Sequence, residues 1–288
     1  LSEQNRDRGY FIPAFHPSLV SKGIDCQLWW YFFLKNQDSV PEEWSEKNLT
    51  AMTVGTAIHN ELQHVLYKMG ILEGVYQCMA CGREFWATSP NKQCPNCLQF
   101  FKSWDYLKYK EVPILTDLIR GHADGIINKK GARTLLEIKS IKNVDRPNAK
   151  YGYEVLNDKP LDEHMIQAQL YLYSWGEIVK AANLGEEYTV DETGKLSTKK
   201  LDGPVYEGAR IIGPLYQAVI EYVAKNSSDK RAFLVKKNYN SIKFLLSEMQ
   251  AIKKAYLEDD ISSLKGVDSV NKNLCKKCIY RGSCTWKD

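Results

Sequence analysis

The chain has 288 residues, 44% of them hydrophobic, which is enough to bury a substantial core as one large domain or a domain with insertions. Its formal charge of +4 excludes a global field as the means of attracting nucleic acid, so any such contact must come from local clusters. No apolar run approaches the roughly 18 residues of a membrane span, and the charged start from Leu1 to Arg8 lacks a signal peptide's apolar region, so a cytoplasmic protein with no membrane contact is expected. Near the beginning, Cys26 precedes the aromatic cluster Trp29-Trp30-Tyr31-Phe32-Phe33, whose rings read mostly as core. From Ala51 to Met69, apolar residues at Val54, Ile58, Leu62, Val65, Leu66 and Met69 keep a helical period that Gly70 closes. His59 lies at the edge of that stripe, where a lone histidine commonly packs or faces solvent.

Eight cysteines in a long chain without an export signal point to metal binding rather than disulfides. Cys78-x2-Cys81 and Cys94-x2-Cys97, with twelve residues between them, form two knuckles that supply four thiolates to a tetrahedral zinc ion. Gly82, Pro90 and Pro95 suit the tight turns such an insertion needs, and a closed set of four ligands is structural.

The segment from Leu118 to Asn128 reads as a strand, Lys129-Lys130-Gly131 as a turn, and Thr134 to Ser140 as a second strand. A turn centred between Lys130 and Gly131 sets Asp124 opposite Glu137, and the alternation of strand side chains puts Lys139 on their face and Ile138 on the other. Two carboxylates held so close repel unless a cation sits between them, and oxygen ligands suit Mg²⁺ or Mn²⁺. A lysine two residues from a metal ligand can polarise an attacking water, which is the chemistry of phosphodiester hydrolysis. The same residues also suit a surface hairpin laced with weak ion pairs. Lys142, Arg146 and Lys150 follow the hairpin and could track a phosphate backbone.

Leu161 to Ala182 has the length of a second helix, with Asp162 and Glu163 near its N-terminus and Gln167, Tyr171, His164 and Trp175 on one face. Asn183 to Pro204 is polar and reads as a loop or insertion. Ala218 to Lys225 and Arg231 to Lys237 bracket Asn226-Ser227-Ser228-Asp229 as a second hairpin, and a helix follows from about Ser241 to Leu257. Cys275-x2-Cys278-x5-Cys284 then offers three ligands, and Cys26 is the one cysteine left to complete a set. Zinc and an iron-sulfur cluster both fit that spacing, and either would tie the ends together; a buried Cys26 thiol with a three-cysteine, one-histidine zinc site is the other arrangement.

Taken together, Gly55-Thr56-Ala57-Ile58-His59, Glu111, Gly121-His122-Ala123-Asp124-Gly125, Glu137-Ile138-Lys139 and Gln167-Ala168-Gln169-Leu170-Tyr171 resemble the RecB-like branch of the PD-(D/E)xK nucleases. Cys26 with Cys275, Cys278 and Cys284 is similar to the iron-sulfur arrangement of the AddB nuclease domain and the CRISPR-adaptation nucleases. The resemblance implies an α/β, restriction-endonuclease-like core with a central mixed β-sheet flanked by helices, plus a small zinc-ribbon-like insertion. Its divisions would be an N-terminal helical part over 1–74, the insertion over 75–105, the nuclease core over 106–260 and a [4Fe–4S] segment over 261–288.

Under that resemblance His59, Asp124, Glu137 and the Ile138 carbonyl bind Mg²⁺ or Mn²⁺, and Lys139 positions the hydrolytic water. Gln167 and Tyr171 match the family's Gln-x3-Tyr motif, associated with the DNA strand near the metal; Gln169 and Tyr173 have the same spacing. Glu111, expected on a preceding strand, matches an upstream acid of varied role. The implied activity is a deoxyribonuclease, an exonuclease or end-processing enzyme preferring single-stranded DNA, in repair, recombination, replication or phage DNA metabolism, the last acting in the host cytoplasm. The chain shows no Gly-x4-Gly-Lys-Ser/Thr phosphate loop, so unwinding would come from a partner helicase, and the insertion could recruit a replication or recombination protein. The alternative from another class is a non-catalytic DNA-binding or assembly module that keeps the nuclease fold as a scaffold.

Overall fold

Local strand and helix signals assemble around one long strand in the computed structural model, which describes residues 14–21, 24–35, 46–88, 93–101, 104–141, 158–184, 186–190, 196–200, 203–225, 227, 229–266, 275, 278, 280 and 284. In chain order the first elements are α1 (Pro17–Val20), α2 (Gln27–Lys35), α3 (Glu46–Lys68), β1 (Leu72–Cys78), β2 (Glu84–Thr88), β3 (Leu107–Lys110), β4 (Val112–Leu115) and β5 (Arg120–Ala123). They are followed by β6 (Gly125–Lys129), β7 (Ala132–Ile141), α4 (Asp162–Leu184), β8 (Glu186–Val190), β9 (Leu196–Lys200), α5 (Pro204–Ile212), β10 (Gln217–Ala224), β11 (Lys230–Lys236) and α6 (Lys243–Glu258). No helix among the described residues is long and apolar enough to cross a membrane.

The central sheet is mixed and seven-stranded, in the order β11-β10-β7-β6-β1-β2, with β3 also on β1. β7 and β10 run parallel, with Glu137 beside Ile220 and Ile138 beside Glu221. A parallel pair needs a long crossover, and α4 lies within it. Alternation along β7 sends Leu136 and Ile138 toward Leu62 of α3, while Leu135 joins the larger core with Leu170 of α4 and Ile220 and Tyr222 of β10. The sheet is therefore covered on both faces by helices.

The β6–β7 pairing has the register expected from the turn, running from Lys129 opposite Ala132 to Gly125 opposite Leu136. Lys130 and Gly131 both take positive φ, 54° and 86°, as a tight two-residue hairpin turn requires. The strand expected from Leu118 to Asn128 is instead two strands: β5 pairs with β4, and β6 with β7 and β1, with Asp124 at the bend between them.

Helix α3 starts upstream of the expected Ala51 and ends as expected, where Gly70 adopts φ 73° and the Ile71 N–H donates to the Leu66 carbonyl. Its apolar stripe is only partly used. Leu62 is buried, while Val54, Val65 and Met69 are exposed, because Gly55, His59 and Gln63 also turn toward the sheet.

The cysteine-bearing hairpin β1–β2 is continuous with the central sheet, since Leu72 and Glu73 of β1 pair with Ile127 and Ile126 of β6. The expected boundary at residue 75 falls inside β1. Trp86 of β2 stacks on Trp175 of α4 at 6.0 Å, fixing this extension to the core. Glu73, almost fully buried, is paired with Arg133 and accepts hydrogen bonds from Asn128 and Trp86. The stretch 183–204, expected as a loop or insertion, carries the backbone hairpin β8–β9.

Of the aromatic cluster, Trp30 and Tyr31 are buried, and Trp29 and Phe32 pack at 6.0 and 5.9 Å against Tyr280. The Gln27 N–H donates to the Lys265 carbonyl and the Lys265 N–H to Gln27 Oε1, which sets the start of α2 beside the segment that follows α6. Lys142, Arg146, Lys150, Pro90, Asn226 and Ser228 lie outside the described residues.

Candidate active site

The interruption of the strand at Asp124 makes the site. With the ladder ending at Gly125, Asp124 Oδ2 accepts the Ile138 N–H at 2.5 Å in place of a backbone partner. Its other oxygen lies 3.0 Å from His59 Nδ1, and Gln63 Nε2 donates to the Asp124 carbonyl at 2.9 Å. A strand residue's N–H and C=O leave on the same side, so the Ile138 carbonyl also points to the edge that Asp124 occupies.

Close approach explains three glycines of the motifs. A Cβ on Gly125 would meet the buried Tyr109 hydroxyl at 2.8 Å, one on Gly121 the Tyr171 hydroxyl at 3.0 Å, and one on Gly55 the Ser140 Oγ at 3.1 Å.

His59, Glu111 and Asp124 each offer a ligand atom, and these atoms lie within 4.8 Å of one another. An ion about 2.1 Å from its ligands holds them roughly 3 to 4 Å apart, so small side-chain adjustments would close this set around a hard cation. Glu111 stands between β3 and β4 rather than on a strand, at the solvent side of the group. Although the residue is exposed, its carboxyl is enclosed on the inner side; that partial withdrawal from water, then repulsion by Asp124, pushes it up to about 7.

Glu137 is almost fully buried on the α4 side of β7. Its Oε1 receives Lys139 Nζ at 2.6 Å and Gln167 Nε2 at 2.8 Å, whereas its buried Oε2 has no hydrogen-bond partner. An unpartnered buried carboxylate oxygen beside other acids is one that a cation could take. Burial pushes the Glu137 carboxyl up against the attraction of Lys139. Burial opposes the charge on Lys139, but Glu137 outweighs it and raises the lysine, which stays an ammonium. At His59 burial likewise favours the neutral ring, and Asp124, with smaller help from Glu111 and Glu137, reverses that.

Gln167 joins these groups: its oxygen accepts from Lys139 at 2.9 Å while its amide donates to Glu137 and, at 3.4 Å, to Tyr171. Both Gln167 and Tyr171 are 4% exposed, so they act beneath the site. Gln169 is engaged elsewhere, with the Lys236 carbonyl and the Asn238 N–H, and Tyr173 faces Tyr239. His164 anchors α4 to the Tyr222 hydroxyl at 2.8 Å, and Trp175 is core. Gln63 was missed in the sequence; its place one helical turn after His59 was the available signal.

Cys78, Cys81, Cys94 and Cys97 lie close together at the far end of the β1–β2 extension and could bind a metal ion. Four sulfurs each 2.3 Å from an ion form a tetrahedron with edges of about 3.8 Å. Cys78 and Cys97 are 3.7 Å apart, and Cys81 and Cys94 3.8 Å. The Arg83 N–H and the Asn96 amide hold the Cys81 thiol down, while at Cys97 the Gln99 N–H is outweighed by burial and the neighbouring sulfurs, which push that thiol up, so the crowded sulfurs do not all ionise without a cation among them. Cys26, Cys275, Cys278 and Cys284 are each half-buried, and burial followed by the other three sulfurs raises Cys26.

No protein-family model matches the chain, and no curated protein does. Among solved structures, the crystal structure of SSO0001 is similar over 99% of this chain and 92% of that one, with 13% identity and a TM-score of 0.39.

Proposed function

We propose that the chain is a metal-dependent DNA nuclease of the PD-(D/E)xK type, with a restriction-endonuclease-like core and a zinc-ribbon-like extension. One observation carries this reading: His59, Glu111 and Asp124 gather at a strand break beside the buried Glu137–Lys139 pair, whose Oε2 is unpartnered. His59, Asp124, Glu137 and the Ile138 carbonyl would hold Mg²⁺ or Mn²⁺, with Glu111 within reach of the same ion. When bound, that ion neutralises charge developing on a phosphate oxygen.

The protein's own groups do the rest. Lys139 is a donor-only ammonium, so it orients and polarises the attacking water rather than taking its proton. Gln167 fixes Lys139 and Glu137 relative to each other, and Tyr171 supports Gln167 from below. Their burial favours a positioning role over direct contact with a strand. Zinc at Cys78, Cys81, Cys94 and Cys97 would brace the extension. A [4Fe–4S] cluster at Cys26, Cys275, Cys278 and Cys284 would join the chain ends, where Tyr280 already packs on Trp29.

The substrate proposed is DNA with a free end, single-stranded by preference. The test is incubation of end-labelled single-stranded and duplex DNA with Mg²⁺ or Mn²⁺, beside Glu137→Ala and a chelator control. Cleavage that needs the metal and vanishes in the variant supports the reading. A second reading, a DNA-binding assembly module, is favoured by exposed Met79, Leu98 and Phe100 around the cysteine tip. Tight metal-independent DNA binding without turnover would select it.

A further inference from the structure

Beside the metal ligands, a cleft of about 640 Å³ opens between α3 and the ends of β7 and β10. Its size falls within the range of about 300–1,000 Å³ typical of small-ligand sites, room for a nucleotide unit or two. The lining is asymmetric. Glu111 and His59 stand at one end, and Thr56, Asn60, Ser140 and Lys225 form the rest of its polar wall. Gly55 keeps the floor open, since a Cβ there would press on Ser140 Oγ at 3.1 Å.

We propose that this cleft is a backbone subsite for single-stranded nucleic acid, in which Lys225 at one end, the Thr56 and Ser140 hydroxyls along the wall and the Asn60 amide beside His59 hold the phosphates that follow the one at His59 and Asp124. The inference rests on the nuclease reading and names how that site grips its substrate.

Charge placement supports it. A phosphate approaching Glu111, Asp124 and Glu137 meets acids, and Lys139 gives two of its three protons to Glu137 and Gln167, which leaves one for the attacking water. Lys225 brings positive charge to the same cleft from the opposite end. Its Nζ donates to the Ala51 carbonyl at 2.9 Å, which holds the ammonium at the cleft and leaves two of its three protons for an anion. Asn60, Thr56 and Ser140 make no side-chain hydrogen bonds among the described residues, so their donors are uncommitted. Donors of this kind bind phosphate oxygens without reading bases, so the grip is independent of sequence.

The test measures binding and cleavage of a short labelled oligothymidylate as a function of salt. Wild type, Lys225→Ala and Asn60→Asp are compared, with Lys180→Ala as a remote control. Losing one phosphate contact on a single strand lowers the slope of log K against log salt by about 0.7. Lys225→Ala is expected to show that drop, a rise in Kd and KM of about tenfold, and a kcat within about twofold of wild type. Asn60→Asp keeps the shape of the cleft while adding negative charge, so it should weaken binding without altering thermal stability. Wild-type slope and KM in both variants, with cleavage intact, would overturn the subsite alone. Wild-type protein that neither binds nor cleaves the oligonucleotide would instead overturn the nuclease reading, and the subsite with it.

Discussion

Gln167 donates to Glu137 at 2.8 Å, and through this bond helix α4 holds the carboxylate on β7. The same side chain accepts from Lys139, so one amide fixes both groups. Gln167→Leu removes both bonds inside a buried site, where leaving polar groups unsatisfied costs about 1–3 kcal/mol. A loss of that size is expected in denaturant unfolding, together with a fall in kcat and little change in DNA affinity. Equal loss of DNA binding would show instead that Gln167 contacts the strand.

The raised carboxyl of Glu111 links stability to pH. Its folded value near 7 exceeds its ordinary 4.5, so between these values the folded state holds more protons than the unfolded one. Metal-free stability therefore falls as pH rises through this window. Mn²⁺ competes with those protons, so the rise in Tm that it causes should grow from pH 5.5 to pH 8. Glu111→Gln should flatten its part of both trends, which thermal melts with Mn²⁺ or chelator would show.

Besides the pairing of β1 with β6, the β1–β2 extension meets the core through Trp86, which packs against both Trp175 of α4 and Gly208 of α5. A Cβ on Gly208 would lie 2.1 Å from the Trp86 ring. Gly208→Ala should destabilise the protein by about 1–3 kcal/mol, as overpacking does. Unchanged unfolding would mean that the extension is not docked in this way.

The two cysteine groups should separate chemically. Cys94→Ser is expected to lose about one zinc per chain while keeping a brown colour in protein prepared without oxygen. Cys278→Ser should lose iron and sulfide while keeping that zinc. Colourless wild-type protein with about two zinc atoms per chain would replace the cluster with a second zinc site.

Local chemistry made much of this legible. Lys130-Gly131 specified the hairpin register, the two Cys-x2-Cys knuckles specified a compact four-sulfur group, and the length and acidic start of the segment from Leu161 marked α4. The break at Asp124 was not legible, because a side chain that replaces a ladder bond leaves the strand pattern intact. Nor was the joining of β1 to β6, a pairing of residues more than fifty apart that no local signal announces. Nothing local marks Gln63 or Glu73 as buried, nor Arg133 as the partner of Glu73. Glu111 was marked by family resemblance, and its position outside a strand emerged only with the fold.

The most direct test of the central claim is the cleavage rate of Lys139→Ala on end-labelled single-stranded DNA with Mg²⁺ or Mn²⁺, measured on protein whose zinc and iron contents match wild type. Cleavage by wild type and none by the variant is the expected result. Full activity without the Lys139 ammonium would contradict the assignment of Lys139 to the water and, with it, the proposed mechanism.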